Sequence, residues 1–193
     1  MIKKLIVTGT VLTACIAAGI YYPFLGQSDK ILKPVIPNMA SYPYVEMEDL
    51  VGRADVVAHG IVKKRGKTQI VKIPVSTEID VTKENEGKFL ESVETPVTIE
   101  VMDTIKDKEK KKTIIYWEEG GELSDRIVEP DGGFPQEGDE VVIFLNQSGH
   151  SWGAQGVLKV NDNQVDVLEN KQIRKYNLED FDTKLKNLVA NNK

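Results

Sequence analysis

From Leu5 to Leu25 the chain carries no charged residue, an uninterrupted run of 21 positions. A helix needs about 20 such residues to cross the hydrocarbon core of a bilayer. This run divides the chain before any other reading begins: one segment, residues 1–25, suits lipid, and the rest must fold in water. Tyr21, Tyr22 and Phe24 stand at the far end of the run, where amphipathic rings suit the membrane–water boundary. Pro23 ends the helix. Lys3 and Lys4 form a short positive flank, which favours a cytoplasmic N-terminus and places everything after Leu25 outside. Lys30 and Lys33 follow closely and weaken that asymmetry.

A second reading of the same segment rests on Leu12-Thr13-Ala14-Cys15. The tetrapeptide resembles the bacterial lipobox, in which a small residue precedes a cysteine that is lipidated and becomes the new N-terminus. The resemblance implies a diacylglycerol on Cys15. The departure is that Ile16, Ala17, Ala18, Gly19 and Ile20 remain apolar. Transmembrane helix and lipoprotein signal agree on location, since a spanning helix or acyl anchoring holds a protein stably. A cleaved signal peptide with a released protein is the third possibility.

Cys15 is the only cysteine, so no intrachain disulfide forms. An exported domain without disulfides fits a Gram-positive bacterial surface better than a eukaryotic secreted one. The formal charge is −5; with Lys3 and Lys4 set aside, 23 basic against 30 acidic residues leave −7 from Gly26 onward. A net acidic domain lacks the electrostatic footprint of a nucleic-acid binder, and that class is excluded.

Residues 26–44 hold Pro34, Pro37 and Pro43 with little periodicity and read as an extended linker. Residues 45–193 read as one ectodomain of mainly β structure. Met47, Leu50, Val51 and Ala54 fall on one face of a short helix, capped at Ser41 and started by Pro43. The apolar period then changes to two. Strands are expected over Val56–Lys64, Thr68–Ser76, Val97–Val101 and Ile114–Trp117. Pro74 puts the end of the second at an edge or bulge, and Glu78–Glu94 reads as a loop. Val141–Leu145 is apolar throughout, as a central strand buried on both faces would be. Val157–Val160 and Val165–Leu168 flank the turn Asn161-Asp162-Asn163. Phe181, Leu185, Leu188 and Val189 form the stripe of a C-terminal helix. Short strands between two helices predict a small antiparallel OB-like barrel, because closure removes exposed edges; a β-sandwich is the alternative.

The order of a short helix, Ala54-Asp55-Val56-Val57-Ala58-His59-Gly60-Ile61-Val62, Val97-Thr98-Ile99-Glu100-Val101, Gly120-Gly121-Glu122-Leu123, Glu137–Leu145 and Gln155–Val160 resembles a loose group of membrane-anchored or secreted small β-barrel domains of Bacillus-like Gram-positive bacteria. The resemblance spans about Met47 to Val167 and its motifs are low in specificity. It implies fold and location and carries no activity.

Signatures of chemistry are sparse. The two histidines, His59 and His150, have no partner at metal-ligand spacing. Ser151 beside His150 does not make a nucleophile–base pair, since neighbours in an extended chain point apart, and the glycine–serine–glycine elbow is absent. Glu118, Glu119, Glu122, Asp125, Glu129 and Asp131 form an acidic loop that offers oxygen ligands to a divalent cation but lacks the EF-hand spacing; such loops are ordinarily solvated. Lys106, Lys108, Lys110, Lys111 and Lys112 read as a solvated turn that discourages edge pairing, with contact to anionic headgroups or wall polymers as the functional counterpart. Tyr116, Trp117, Phe134 and Trp152 belong to the core or to a recognition face.

These readings predict a membrane-tethered, extracytoplasmic binding or accessory domain of the cell envelope, with no enzyme activity and no cofactor. Its working surface is expected on the loops Gly120–Gly138 and Gly149–Gln155, with Phe134, Trp152 and His150 as interaction residues. The partner is the membrane through the N-terminal segment, and an envelope protein or wall polymer through the loops. The alternatives are an envelope hydrolase using His150, His59 and the acidic loop, or a structural, stress-related envelope protein.

Overall fold

Alternation of apolar and polar residues dominates the chain after Ala54, and the backbone follows it into strands. The computed structural model describes residues 32–38, 42–74, 89–130 and 132–192. Leu5–Leu25 with Cys15 lies outside the described residues. Among the described residues no helix is long and apolar enough to cross a membrane. The chain falls into two units, Met1–Lys33 and Pro34–Lys193, and the described strands and helices lie in the second.

Strand β1 (Val35–Pro37) precedes helix α1 (Met47–Arg53), β2 (Val56–Arg65), β3 (Gln69–Pro74) and the long β4 (Phe89–Lys106). Then come β5 (Thr113–Glu119), β6 (Gly121–Glu122), β7 (Ile127–Glu129) and β8 (Glu140–Leu145). A 3-10 turn (Gly153–Gln155), β9 (Val157–Asn161), β10 (Gln164–Glu169), β11 (Gln172–Asn177) and helix α2 (Leu178–Asn191) complete the unit.

Eight strands form one sheet in the order β11-β10-β9-β8-β2-β4-β3, with β5 on β4; β1, β7 and β6 form a small second sheet. Position in the sheet explains why Val141–Leu145 of β8 is apolar throughout. Val142 and Phe144 enter one core with Met47, Leu50, Val51, Leu178, Phe181 and Leu185 from the two helices. Val141, Ile143 and Leu145 enter a second core with Ala58, Val62, Val97, Ile99, Ile114 and Tyr116. Each such valine, leucine, isoleucine, phenylalanine or methionine side chain taken from water stabilises by about 1.5–3 kcal/mol.

β4 changes partner along its length. Phe89–Glu94 pair with β3, Val97–Lys106 with β2, and Glu94–Glu100 with β5 on the opposite edge. Pro96 sits at the changeover and its carbonyl accepts from Gly66 N at 2.7 Å. Register slips between β2 and β4 occur at Val57/Ala58, His59/Gly60 and Val62/Lys64, and bulges of this kind increase local twist.

The sheet is open, which corrects the expected OB-like barrel. A barrel requires its end strands to pair, but β11 lies at one end and β3 and β5 at the other. The physical reason is that α1 and α2 cover the apolar face that a barrel would have enclosed, so water is excluded without closure. The sandwich alternative does not describe the architecture either, because the second sheet has only three short strands. What stands is a mainly β unit with a short leading helix and a C-terminal helix.

Smaller differences have local causes. α1 begins at Met47 after Glu46, which makes no side-chain cap; the expected cap Ser41 lies outside the described residues. Of the stretch read as a loop over Glu78–Glu94, Phe89–Glu94 is strand, and residues 75–88 lie outside the description. Within the stretch read as a linker, Val35–Pro37 is extended but pairs in parallel with Ile127–Glu129. β11 went unread because its burial pattern is almost wholly exposed and shows no apolar face. It is made by a turn at Asn170 and Lys171 (φ 50° and 62°) like the recognised one at Asp162 and Asn163 (φ 49° and 61°); two successive positive φ values match the hairpin's twist.

Candidate functional site

The loops between β5 and β8 and between β8 and β9 meet over the end of β5. Pro130, Gly132, Gly133 and Pro135 from the first and Ser151, Gly153 and Ala154 from the second line one cleft. Asn38 and Tyr42, from the stretch preceding α1, close a third side, and Tyr116, Trp117, Glu119, Val157 and Lys159 form the rest of the wall. The cleft has a volume of about 40 Å³, on the scale of about three water molecules or one small chain end.

Backbone geometry sets these walls. Asn38 N donates to Glu129 O at 2.7 Å, and Gln155 clamps residues 43–45 by accepting from Val45 N at 3.0 Å and donating to Pro43 O at 3.2 Å. Tyr42 is thereby laid across Gly153, where a Cβ would come 2.8 Å from its ring. Gly153 also has φ +57°, so the position selects glycine on two counts. Gly121, at φ +147°, leaves no room for a Cβ against the hydroxyls of Thr95 and Thr68. Those hydroxyls are 2.8 Å apart, and Thr95 Oγ1 donates to Gly120 O at 2.7 Å.

The electrostatics of the wall are acidic. Tyr42 OH donates to Glu119 Oε1; its burial, that bond and the charges of Glu119 and Glu94 all push the phenol's pKa up. Tyr116 is raised by burial first, then by the charges of Glu118 and Glu119. Behind them Glu118 is 1% exposed. Arg65 Nη2 donates to its Oε2, while its buried Oε1 has no hydrogen-bond partner. Burial raises the Glu118 pKa, against the opposing pull of Arg65 and Lys159. Arg65 also donates to Pro135 O at 2.8 Å and lies 4.8 Å above the Phe134 ring. Lys159 Nζ sits 2.9 Å from Asp139 Oδ2 and 3.2 Å from Phe134 O. Burial acts to raise Asp139, but bonds from Gln136 N and Lys159 outweigh it and leave its pKa lowered.

The three residues read as interaction points part company. Phe134 is half-buried beneath Arg65 at the cleft's rim. Trp152 is half-buried and packs against the helix-side core. His150 stands outside the lining, with Nδ1 3.2 Å from Ser148 Oγ and Nε2 3.4 Å from Glu94 Oε1. Asn146 Oδ1 accepts from Ser148 Oγ at 2.8 Å and from Ser148 N and His150 N at 3.0 Å, which makes this network first a turn.

The histidines have separate partners. His59 is buried on the opposite, helix-covered face, with Nε2 2.6 Å from Glu140 Oε1 and Nδ1 3.9 Å from Asp182 Oδ2. The acidic loop disperses: Glu118 turns to Arg65, Glu119 to Tyr42, Asp125 to Arg126, and Asp131 lies outside the described residues. Among the described residues no three His, Cys, Asp or Glu side chains gather as metal ligands. In the lysine run, Lys106 donates to Val51 O and Gly52 O at the end of α1, where a cation suits the helix dipole. Lys111 pairs with Glu109.

Sequence reasoning named the two loops and the acids but missed Tyr42, Glu94 and Ser148. Tyr42 stood in a proline-rich stretch with no periodicity, and no spacing rule links it to Glu119 across 77 residues. Compared with protein-family models, with curated proteins and with solved structures, the chain matches none.

Proposed function

We propose that this chain is a membrane-tethered binding or accessory domain of the cell envelope, working outside the cytoplasmic membrane without enzymatic chemistry, and that it binds through the cleft over β5. The observation that carries this reading is the meeting of the two loops around one aromatic-walled cleft. Small sites of this kind combine apolar walls with a few convergent polar groups. The partner class is an envelope protein or a wall polymer.

Site-specific photo-crosslinking of the full-length protein in cells tests the reading. A crosslinker at Ala154, on the cleft, is expected to form one defined adduct that a crosslinker at Lys175, on the exposed strand β11, does not. Equal labelling from both positions, or none from Ala154, sinks it.

The alternative of an envelope hydrolase has one observation in its favour, the Ser148–His150–Glu94 series of contacts. It has the order of a nucleophile, a base and an orienting acid. Against it, the serine's single proton goes to Asn146 at 2.8 Å, a shorter contact than that to His150. Covalent labelling by a fluorophosphonate, lost in Ser148→Ala, would favour this alternative over the binding module.

A further inference from the structure

We infer that the cleft receives a primary ammonium group on a short alkyl arm; this rests on the binding reading above and names its ligand chemistry. Charge balance is the first argument. Lys159 on the wall is held by Asp139, and Glu118 behind it by Arg65. Glu119, also on the wall, has the Tyr42 hydroxyl but no cationic partner among the described residues. The unbalanced charge facing the cleft is therefore negative. The second argument is the lining: Tyr42, Tyr116 and Trp117 supply aromatic surface, which attracts cations and packs an alkyl stem. An ammonium group brings three donors and no acceptor, which suits the Glu119 carboxylate.

The ammonium source is a peptide lysine or a free alkylamine, and the probes separate them. Full-length, ¹⁵N-labelled protein in detergent micelles is titrated with Nα-acetyl-lysine amide, with n-butylammonium and with the neutral Nα-acetyl-norleucine amide. The expected result is saturable shifts of the Ser151 and Gly153 amides and the Trp117 indole with both ammonium probes. The neutral analogue should bind at least tenfold more weakly, the scale of one lost charged hydrogen bond. Stronger binding of the lysine amide than of butylammonium identifies a peptide; equal binding identifies a simple amine. Glu119→Gln should lower ammonium affinity about tenfold with the remaining amide spectrum unchanged, and Glu119→Asp should restore part of it. Equal binding of the norleucine analogue, or Glu119→Gln without effect in a folded spectrum, overturns the inference. If no ammonium probe shifts the cleft while Ala154 still crosslinks a partner, the ammonium assignment fails and the binding reading stands. If both experiments are blank, both fail.

Discussion

Glu118 and Glu169 are both buried carboxylates, yet their surroundings drive them in opposite directions. Glu118 has one basic partner and an unpaired oxygen, and burial raises its pKa. Burial also acts to raise Glu169, but bonds from Lys184 and from Tyr176 OH at 2.6 Å, with Arg174 Nη1 3.7 Å away, leave it lowered. The consequences for stability have opposite signs. For Glu118 the folded state binds the proton more tightly, so its contribution falls as pH rises from about 4.5, the unfolded value, through the higher folded one. For Glu169 the contribution is present above about 4.5 and is lost as pH falls through the lower folded value. Urea unfolding across this range is therefore expected to show Glu118→Gln gaining on the wild type with rising pH and Glu169→Gln losing ground; parallel curves would refute the assignment. Arg65→Met leaves Glu118 buried without its cation and should cost about 3–5 kcal/mol, most of it recovered when Glu118→Leu is added. A double variant no better than the single one would show that Arg65 acts through Phe134 and Pro135 instead.

Helix α2 shows how an element closes the unit. Asn177 caps its start by accepting from Glu179 N at 3.0 Å, a bond of the kind that contributes about 1 kcal/mol. Leu178, Phe181 and Leu185 enter the helix-side core. Charged residues on the same helix reach the sheet: Lys186 Nζ lies 2.6 Å from Asp103 Oδ2, and Lys184 bonds to Glu169. Phe181→Ala should cost about 3–5 kcal/mol, read from chemical denaturation, because Phe181 is fully buried. A loss below about 1 kcal/mol would mean that α2 does not cover this core in solution. The helix was legible in advance because its apolar stripe repeats at the helical period. Strand β11, which feeds it, was not. Its residues are nearly all exposed, and an exposed strand has no buried face to impose alternation.

At the scale of the whole molecule, the proposal needs the domain to work while held at a membrane. Full-length protein is expected to fractionate with membranes and to resist carbonate extraction. Mass analysis of its N-terminus should then show either intact Met1 or a diacylated Cys15. Recovery of the chain in the soluble fraction would remove the tether from the functional reading while leaving the cleft untouched.

Periodicity along the sequence determined by itself the two helical stripes, the mainly β character, the double burial of Val141–Leu145 and the turn at Asp162-Asn163, because each depends on residues within a few positions of one another. Tertiary structure alone decided that the sheet stays open, since this depends on α1 and α2 reaching the same apolar face from opposite ends of the unit. It alone decided the cleft as well. Tyr42 meets Glu119, Arg65 meets Glu118 and His150 meets Glu94 across separations of 77, 53 and 56 residues, and no local pattern records which distant polar groups a fold will bury together.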